Sequence, residues 1–322
     1  MISIVMIAYE VAPYLPRAIE SVLAQDYKEF ELILVAGRGG RDNSFDICSE
    51  YALKDSRIKL VPIEAKGPAD ARNHGMEHVS GEYLGFVDGD DYVEPDMFSS
   101  MLRNMTDNDA DIAVCGRFYE YENKTLSDEA GPLKVYSADE ALAVVLSNEG
   151  FFLHCWDKLY SKKIYEGLYF RTDVFVEDRI VVNKLIGKAN RIVYDSTPKY
   201  HFRERKGSQS KLSGSIKRNV IANKILQDYI NENHPAIKNE CQRFMLYEYI
   251  TAVQNELVMK NSDRQAVKEY QEMVKKTMKG NNPLVGRGLR IKATLAVSFP
   301  LVLKIFTKIR QNNVATELKR FP

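Results

Sequence analysis

Gly81 to Asp96 reads GEYLGFVDGDDYVEPD. Tyr83 to Val87 is a short apolar run of strand character, and Asp88, Asp90 and Asp91 follow at once, ahead of a helix that opens near Pro95. A strand ending in D-x-D-D sets several carboxylates at the carboxyl edge of a sheet, where open α/β folds hold their ligands. Like charges so close together need a cation, a proton or a ring of donors to coexist. A hard divalent metal that keeps one or two carboxylates and takes its other oxygens from substrate phosphates suits this spacing. The pattern points to a metal-diphosphate site. The same residues also suit a solvated acidic turn, with Asp91 or Asp96 complementing the dipole of the next helix.

Upstream, apolar runs at Ile2–Ala8, Phe30–Val35 and Ile58–Pro62 alternate with helical patterns over Leu15–Gln25, Ser44–Leu53 and Ala69–His78. The alternation predicts an α/β fold, a mostly parallel central sheet with flanking helices. Downstream the pattern loosens. Pro95–Met105 reads as a helix, Ile112–Tyr121 as a strand, Ala138–Leu146 as a helix, and Ile192–Tyr194 and Tyr200–Phe202 as two short late strands. From Ile216 onward the period is helical. The polar stretch RKGSQSKLSGS places a boundary near Ser213, so a catalytic-type domain over 1–213 and a helical C-terminal extension over 214–322 are expected.

The chain has 322 residues, 45% of them hydrophobic, enough for a full core and an appendage. A formal net charge of +1 gives no global argument for nucleic acid, which is not expected as a partner. Cys48, Cys115, Cys155 and Cys241 lie far apart without zinc-ligand spacing, so buried thiols in a reducing compartment are expected, with neither zinc nor disulfides. The opening MISIVMIAYE is unlike a signal peptide and no run has the length of a membrane span, which predicts a cytoplasmic protein.

Two glycine-bearing segments bear on nucleotide binding. Gly37–Gly40 (GRGG) follows a strand and looks like half of a dinucleotide fingerprint, but Asp42 stands where the third glycine belongs; a plain loop with Asp42 capping the next helix fits better. Gly67–Asn73 (GPADARN) opens a helix with Arg72 one turn inside, where a guanidinium meets either a phosphate or a nearby acid.

At these residues the chain resembles a family 2 glycosyltransferase of the GT-A fold, of the bacterial polysaccharide-biosynthesis type. The resemblance rests on the first strand running into IAYE, then YLPRAIESVLAQDYKEFELILV, then DNS, then ARNHGMEHVSGEYLGFVDGDDYVEPDMF. CWDKLYSKKIYEGLYF, Glu177-Asp178 and YHFRERKGSQS extend it to about residue 210. It implies an inverting, metal-dependent transfer of a sugar from a nucleotide-diphosphate sugar, with a UDP-sugar the expected donor. The acceptor is a hydroxyl of a saccharide or lipid-linked molecule in surface polysaccharide synthesis.

Carried over by position, Asp88 contacts the donor ribose beside the metal, Asp90 binds the Mn or Mg that bridges the diphosphate, and Asp91 assists. Ala8, Tyr9 and Glu10 line the nucleoside pocket, and Arg72 sits near the nucleotide. Asp178, or else Glu177, is the catalytic base, because displacement at an anomeric carbon needs a base opposite the leaving diphosphate. His201 has a claim as metal ligand or diphosphate contact; strand alternation sets Arg203 and Arg205 on one face, where they either close over the diphosphate or solvate an edge. Each has a structural counterpart: Glu177 and Asp178 also suit a helix N-terminus, His201 a core position, and Trp156 the core rather than a sugar-stacking platform.

One departure matters. Relatives carry an acidic pair after the second strand for base recognition, whereas this chain reads Val35-Ala36-Gly37-Arg38-Gly39-Gly40-Arg41. The contact must be remade, through Glu10 or Asp42, or the donor is not the usual one. The change also admits a non-catalytic nucleotide- or sugar-binding module. A sugar nucleotidyltransferase is a further alternative, but it calls for a Gly- and basic-rich loop after the first strand, and Ala8–Leu15 has none. Leu284–Thr316 interleaves Arg287, Arg290, Lys292, Lys304, Lys308 and Arg310 with apolar residues and holds no acid. Such a segment suits peripheral contact with an anionic membrane, or else a helix pair docked on the core and broken at Pro300.

Overall fold

A computed structural model describes residues 1–64, 66–147, 149–173, 177–204, 215–260, 262–280 and 282–309. The chain divides into two compact units, Met1–Ser208 and Gln209–Pro322.

The first unit opens with β1 (Ile2–Ala8), α1 (Leu15–Leu23), β2 (Phe30–Arg38), α2 (Ser44–Lys54), β3 (Ile58–Glu64), α3 (Pro68–Met76) and β4 (Tyr83–Asp88). These strands run parallel in the order β3-β2-β1-β4, with Ile7 opposite both Val35 and Asp88. Helices cover the sheet, so β1 and β2 are buried almost throughout and read as continuous apolar runs. Gly75 on α3 lets that helix settle on the sheet, since a Cβ there would come within 2.5 Å of the Val5 side chain.

The unit continues with β5 (Tyr92–Val93), α4 (Met97–Asp107), β6 (Ile112–Glu120), β7 (Thr125–Ser127), β8 (Lys134–Tyr136), α5 (Ala138–Ser147), β9 (Lys158–Ser161), α6 (Lys162–Tyr165), α7 (Glu177–Lys188) and β10 (Ile192–Arg203). The full sheet order is β3-β2-β1-β4-β9-β6-β10-β5, with β7 on β6 and β8 on β10. Two features depart from the sequence-based expectation. β9 inserts antiparallel between β4 and β6, which makes the second half of the sheet mixed. The two short late strands are one strand, β10, irregular between Asp195 and Tyr200, where Pro198 has no N–H to give the ladder.

The second unit is helical: α8 (Ser215–Asn233), a 3-10 turn Pro235–Ile237, α9 (Lys238–Val258), α10 (Arg264–Met278), α11 (Arg287–Ser298) and a further helix over 300–309. α9 carries the core, with Phe244, Met245, Leu246, Tyr249, Ile250 and Val253 buried, and α8, α10 and α11 pack against it. α10 starts where Asp263 accepts hydrogen bonds from the N–H groups of Gln265 and Ala266. Among the described residues no helix is long and apolar enough to cross a membrane. All four cysteines are buried free thiols.

Candidate active site

The strand order reverses at β1 and β4, which makes the crevice beyond their carboxyl ends the place where this topology holds a ligand. β4 ends on Asp88, and the turn after it is pinned by hydrogen bonds from Gly89 N to Ile7 O (3.2 Å) and from Asp91 N to Asp88 O (3.0 Å). Only glycine fits at 89, where a Cβ would come 2.7 Å from Ile7 O. The turn therefore presents Asp88, Asp90 and Asp91 together at the sheet edge.

Each acid of the turn meets a different set of groups. Asp88 Oδ1 accepts from the buried Arg72 guanidinium at 3.1 Å, so Arg72 meets an acid rather than standing alone on its helix. Asp91 is buried: its carboxylate accepts from the Tyr200 hydroxyl (2.9 Å) and from the Arg203 N–H (2.8 Å). Tyr200 in turn accepts from Asp88 N at 3.1 Å. Burial and the neighbouring Asp90 and Asp88 charges push the Asp91 carboxyl well above the usual range. Burial also raises Asp88, Arg72 pulls it back, and Asp90 and Asp178 push it up again. A cation, a bound proton or further hydrogen-bond donors would each relieve a cluster shifted in this direction.

Asp178 opens α7 and feels the same guanidinium. Burial pulls its carboxyl up, but the His154 imidazole, Arg72 and the Arg179 N–H outweigh burial and hold it below the usual range. His154 Nδ1 faces Asp178 Oδ2 at 3.7 Å, an electrostatic contact longer than a hydrogen bond. Stacking fixes the His154 ring: it lies on Trp156 (4.8 Å between centroids), Trp156 lies on Tyr200 (4.2 Å), and Phe202 flanks the indole at 5.6 Å. Trp156 is thus a buried spacer between His154, which faces Asp178, and Tyr200, which bonds to the acidic turn. The backbone before it is held by Lys158 Nζ, which donates to the carbonyls of Phe152 and His154 at 2.7 Å each. Neither His154 nor Tyr200 is marked by local sequence; only the stack and the hydrogen bonds give them their places.

The other expected site residues divide into three groups. Ala8 closes β1 and is buried, and Tyr9 follows it, exposed. Glu10 sits at a left-handed φ of 54° and grips Arg41 through two hydrogen bonds, Nε to Oε1 at 2.9 Å and Nη2 to Oε2 at 2.7 Å. Asp42 accepts from Ala12 N (2.9 Å) and Ser44 N (3.1 Å), closing the glycine loop. The loop that lacks the acidic pair is therefore tied to the segment after β1 through both acids.

Arg203 reaches the acidic turn through its N–H and through Nε, which donates to Asp90 O at 3.1 Å, with its guanidinium over the Tyr14 ring. His201 is the correction. Alternation along β10 turns it away from Tyr200 and Phe202, and its ring lies between Tyr92 and Phe118 with centroids at 4.0 and 4.2 Å. Its two nitrogens meet Glu120 (2.8 Å) and Glu94 (2.7 Å), so it braces the sheet rather than joining the carboxylates of the turn. Arg205 lies outside the described residues, as does the side chain of Glu177.

The donor set fits a hard divalent ion only in part. Among the described residues no three acids, histidines or cysteines surround a common point. Asp91 is committed to Tyr200 and Arg203, which makes Asp90 and the second oxygen of Asp88 the protein groups that would hold the ion. Such a partial set suits Mg or Mn, which take most of their oxygens from water and substrate phosphates.

Comparison with known proteins bears on the family and the fold. GlyA, a glycosyltransferase of Streptococcus pneumoniae serotype 4, is 31% identical over 221 residues, 66% of this chain but 32% of GlyA. The minor teichoic acid biosynthesis protein GgaB of Bacillus subtilis is 28% identical over 251 residues, 76% of this chain and 27% of GgaB. The chain thus spans about a third or less of either relative. The crystal structure of S. aureus TarS 1–349 in complex with UDP-GlcNAc shares the fold with a TM-score of 0.72 at 17% identity, over 95% of this chain and 88% of that one. The family model for glycosyl transferase family 2 matches residues 3–169, just over half of the chain, and the protein belongs to that family.

Proposed function

We propose that this glycosyltransferase is an inverting, metal-dependent enzyme that moves a sugar from a UDP-sugar to a hydroxyl of a saccharide or lipid-linked acceptor in surface polysaccharide synthesis, on the cytoplasmic side of the membrane. The observation that carries the reading is that one buried guanidinium, Arg72, acts on both Asp88 at the acidic turn and Asp178 at the head of α7. This common electrostatic neighbour supports a reading in which the leaving group is met at the acidic turn and the base is Asp178. UDP-GlcNAc on the similarly folded TarS and a teichoic acid protein among the relatives support the donor and acceptor classes.

In this mechanism Asp90 and Asp88 would hold a Mn or Mg ion, which would supply positive charge to offset that of the departing diphosphate. The Asp178 carboxylate, kept ionised by His154 and Arg72, takes the proton of the acceptor hydroxyl. As that proton leaves, the acceptor oxygen forms its bond to the anomeric carbon and the bond from that carbon to the diphosphate oxygen breaks, so the configuration inverts. The electron pair of the broken bond goes to the diphosphate, and no covalent intermediate with the protein forms.

The test combines binding and turnover. UDP with Mn should raise the melting temperature, since a ligand at about a hundred times its Kd adds about 2.7 kcal/mol, and chelator or Asp90→Ala should remove the shift. Asp178→Asn should keep that shift and lose about 10²- to 10⁴-fold in transfer, the usual worth of a general base. A variant at 178 that keeps full transfer would remove Asp178 from the base role. Absence of stabilisation by any nucleotide under any metal condition would favour a binding-deficient relative instead.

A further inference from the structure

The second unit carries a surface that the transfer chemistry does not use. In the helix over 300–309, Leu301, Val302, Ile305, Phe306 and Ile309 are all exposed, Leu301 at 73%, Ile305 at 59% and Phe306 at 60%. Their spacing of i, i+1, i+4, i+5 and i+8 lays them along one stripe of a helix with 3.6 residues per turn. Leu303, by contrast, is buried and faces the unit's own core. The stripe therefore points away from the packing that holds the helix in place. Phe299, just before the helix, is also exposed. Scattered exposed apolar residues are normal, but a contiguous stripe of large ones marks an interaction surface.

Charge identifies the occupant. From Leu284 to Ile309 there is no acidic residue and there are five basic ones. Arg290 serves the fold, donating to Val285 O and Asn282 O. Arg287, Lys292, Lys304 and Lys308 pair with no carboxylate among the described residues. The whole unit has the same sign. Residues 209–322 hold 20 Lys and Arg against 9 Asp and Glu, a formal +11, whereas residues 1–208 hold 25 against 35, a formal −10. The overall +1 conceals this segregation.

We propose that the helix over 300–309 is a docking surface for an anionic lipid bilayer, with Leu301, Ile305, Phe306 and Ile309 entering the headgroup-acyl boundary and Lys304 and Lys308 meeting the lipid phosphates. An interfacial helix combines an apolar stripe with basic flanks at low net hydrophobicity. The surrounding unit adds long-range attraction to an anionic surface. A second copy of this chain would bring two basic segments together, which is unfavourable, and a protein partner would have to be both acidic and apolar at the same spot, whereas an anionic bilayer offers both properties everywhere on its surface. Docking here depends on neither donor nor acceptor, so it stands or falls apart from the proposed transfer reaction.

The experiment is flotation of the full chain with extruded vesicles of phosphatidylglycerol and phosphatidylcholine, against vesicles of phosphatidylcholine alone, without nucleotide or metal. Binding is expected to the anionic vesicles and to be weakened by salt. Lys304→Glu with Lys308→Glu should lower the partition coefficient by at least about 25-fold, since each basic residue near an anionic surface is worth about fivefold. Phe306→Ser with Ile305→Ser should abolish flotation. All four positions are exposed or half-exposed, and an unchanged melting temperature verifies that the variants fold. Equal binding to both vesicle types would overturn the electrostatic assignment. No binding to either, or a concentration-dependent dimer that Phe306→Ser dissociates, would overturn the membrane assignment.

Discussion

Tyr200 is the residue on which the site turns, because one hydroxyl serves two acids. It donates to Asp91 and accepts from Asp88 N, both away from bulk water. Tyr200→Phe leaves the buried Asp91 carboxylate with one donor fewer and the Asp88 N–H unmet, a cost of about 2 kcal/mol. That corresponds to about 4–8 °C in melting temperature for a unit of this size. The pH dependence has a definite sign. The Asp91 carboxyl titrates above its ordinary 3.8 in the folded protein, so native stability falls as pH rises from 3.8 through the folded value, and the full cost is present above it. Removing the Tyr200 hydroxyl raises Asp91 further. The deficit of Tyr200→Phe should therefore be largest at neutral pH and shrink as the carboxyl takes up its proton on acidification. Melting curves at pH 7 and pH 5 read this directly, and a deficit that grows toward pH 5 would show that the hydroxyl does not support the ionised form. Asp88, Asp90 and Asp91 stood out in the sequence because acids at a strand end have a local signature, whereas Asp178 was singled out only through the family resemblance, since Glu177-Asp178 alone reads as the start of a helix. Tyr200 and His154 did not stand out, since their roles come from contacts with residues 109 and 24 positions away.

Among elements, α3 does more than cover the sheet. Arg72 on it reaches Asp88, and its neighbour Asn73 clamps a distant segment: Asn73 Nδ2 donates to Phe170 O at 2.8 Å and its Oδ1 accepts from Phe170 N at 2.7 Å. Phe170 is buried, edge-on to Phe86 of β4 at 5.7 Å. The clamp fixes the chain shortly before α7, and so bears on where Asp178 stands. Asn73→Ala leaves a buried N–H and C=O unpaired and should cost about 2–4 kcal/mol. If the proposed roles hold, transfer should fall by more than UDP binding does, because Asp88 and Asp90, proposed to serve the donor, remain on β4 and its turn. Equal losses in both would place the clamp on the donor side instead. The parallel half of the sheet was readable because buried strands alternating with helices have one arrangement. β9 was not: four residues, KLYS, carry no period, and only its pairing with β4 and β6 makes it a strand. His201 was misplaced for a related reason. Its position on β10 was visible, but which face it takes depends on a register that passes the irregularity at Pro198.

At the scale of the whole molecule, the formal net charge of +1 is the least informative number in the sequence, since a unit at −10 and a unit at +11 nearly cancel. Exposed charges act over roughly a Debye length, about 10 Å at 0.1 M salt, so an ion exchanger or a lipid surface meets one unit's field rather than the sum. The acidic unit holds the carboxylate turn, and the basic unit holds the apolar stripe. With its amino terminus deprotonated at pH 8.5, the chain has a formal net charge of about 0, and a uniformly mixed surface would then pass a sulfonate column in low salt. Segregated charge predicts retention on that column and on a quaternary-amine column alike, with elution from both by moderate salt. Lys304→Glu with Lys308→Glu should shift elution earlier on the sulfonate column and leave the amine column little changed, because the amine resin engages the other unit. Passage through the sulfonate column would mean that the basic charges are spread too thinly to act together, and the electrostatic part of membrane docking would lose its long-range support.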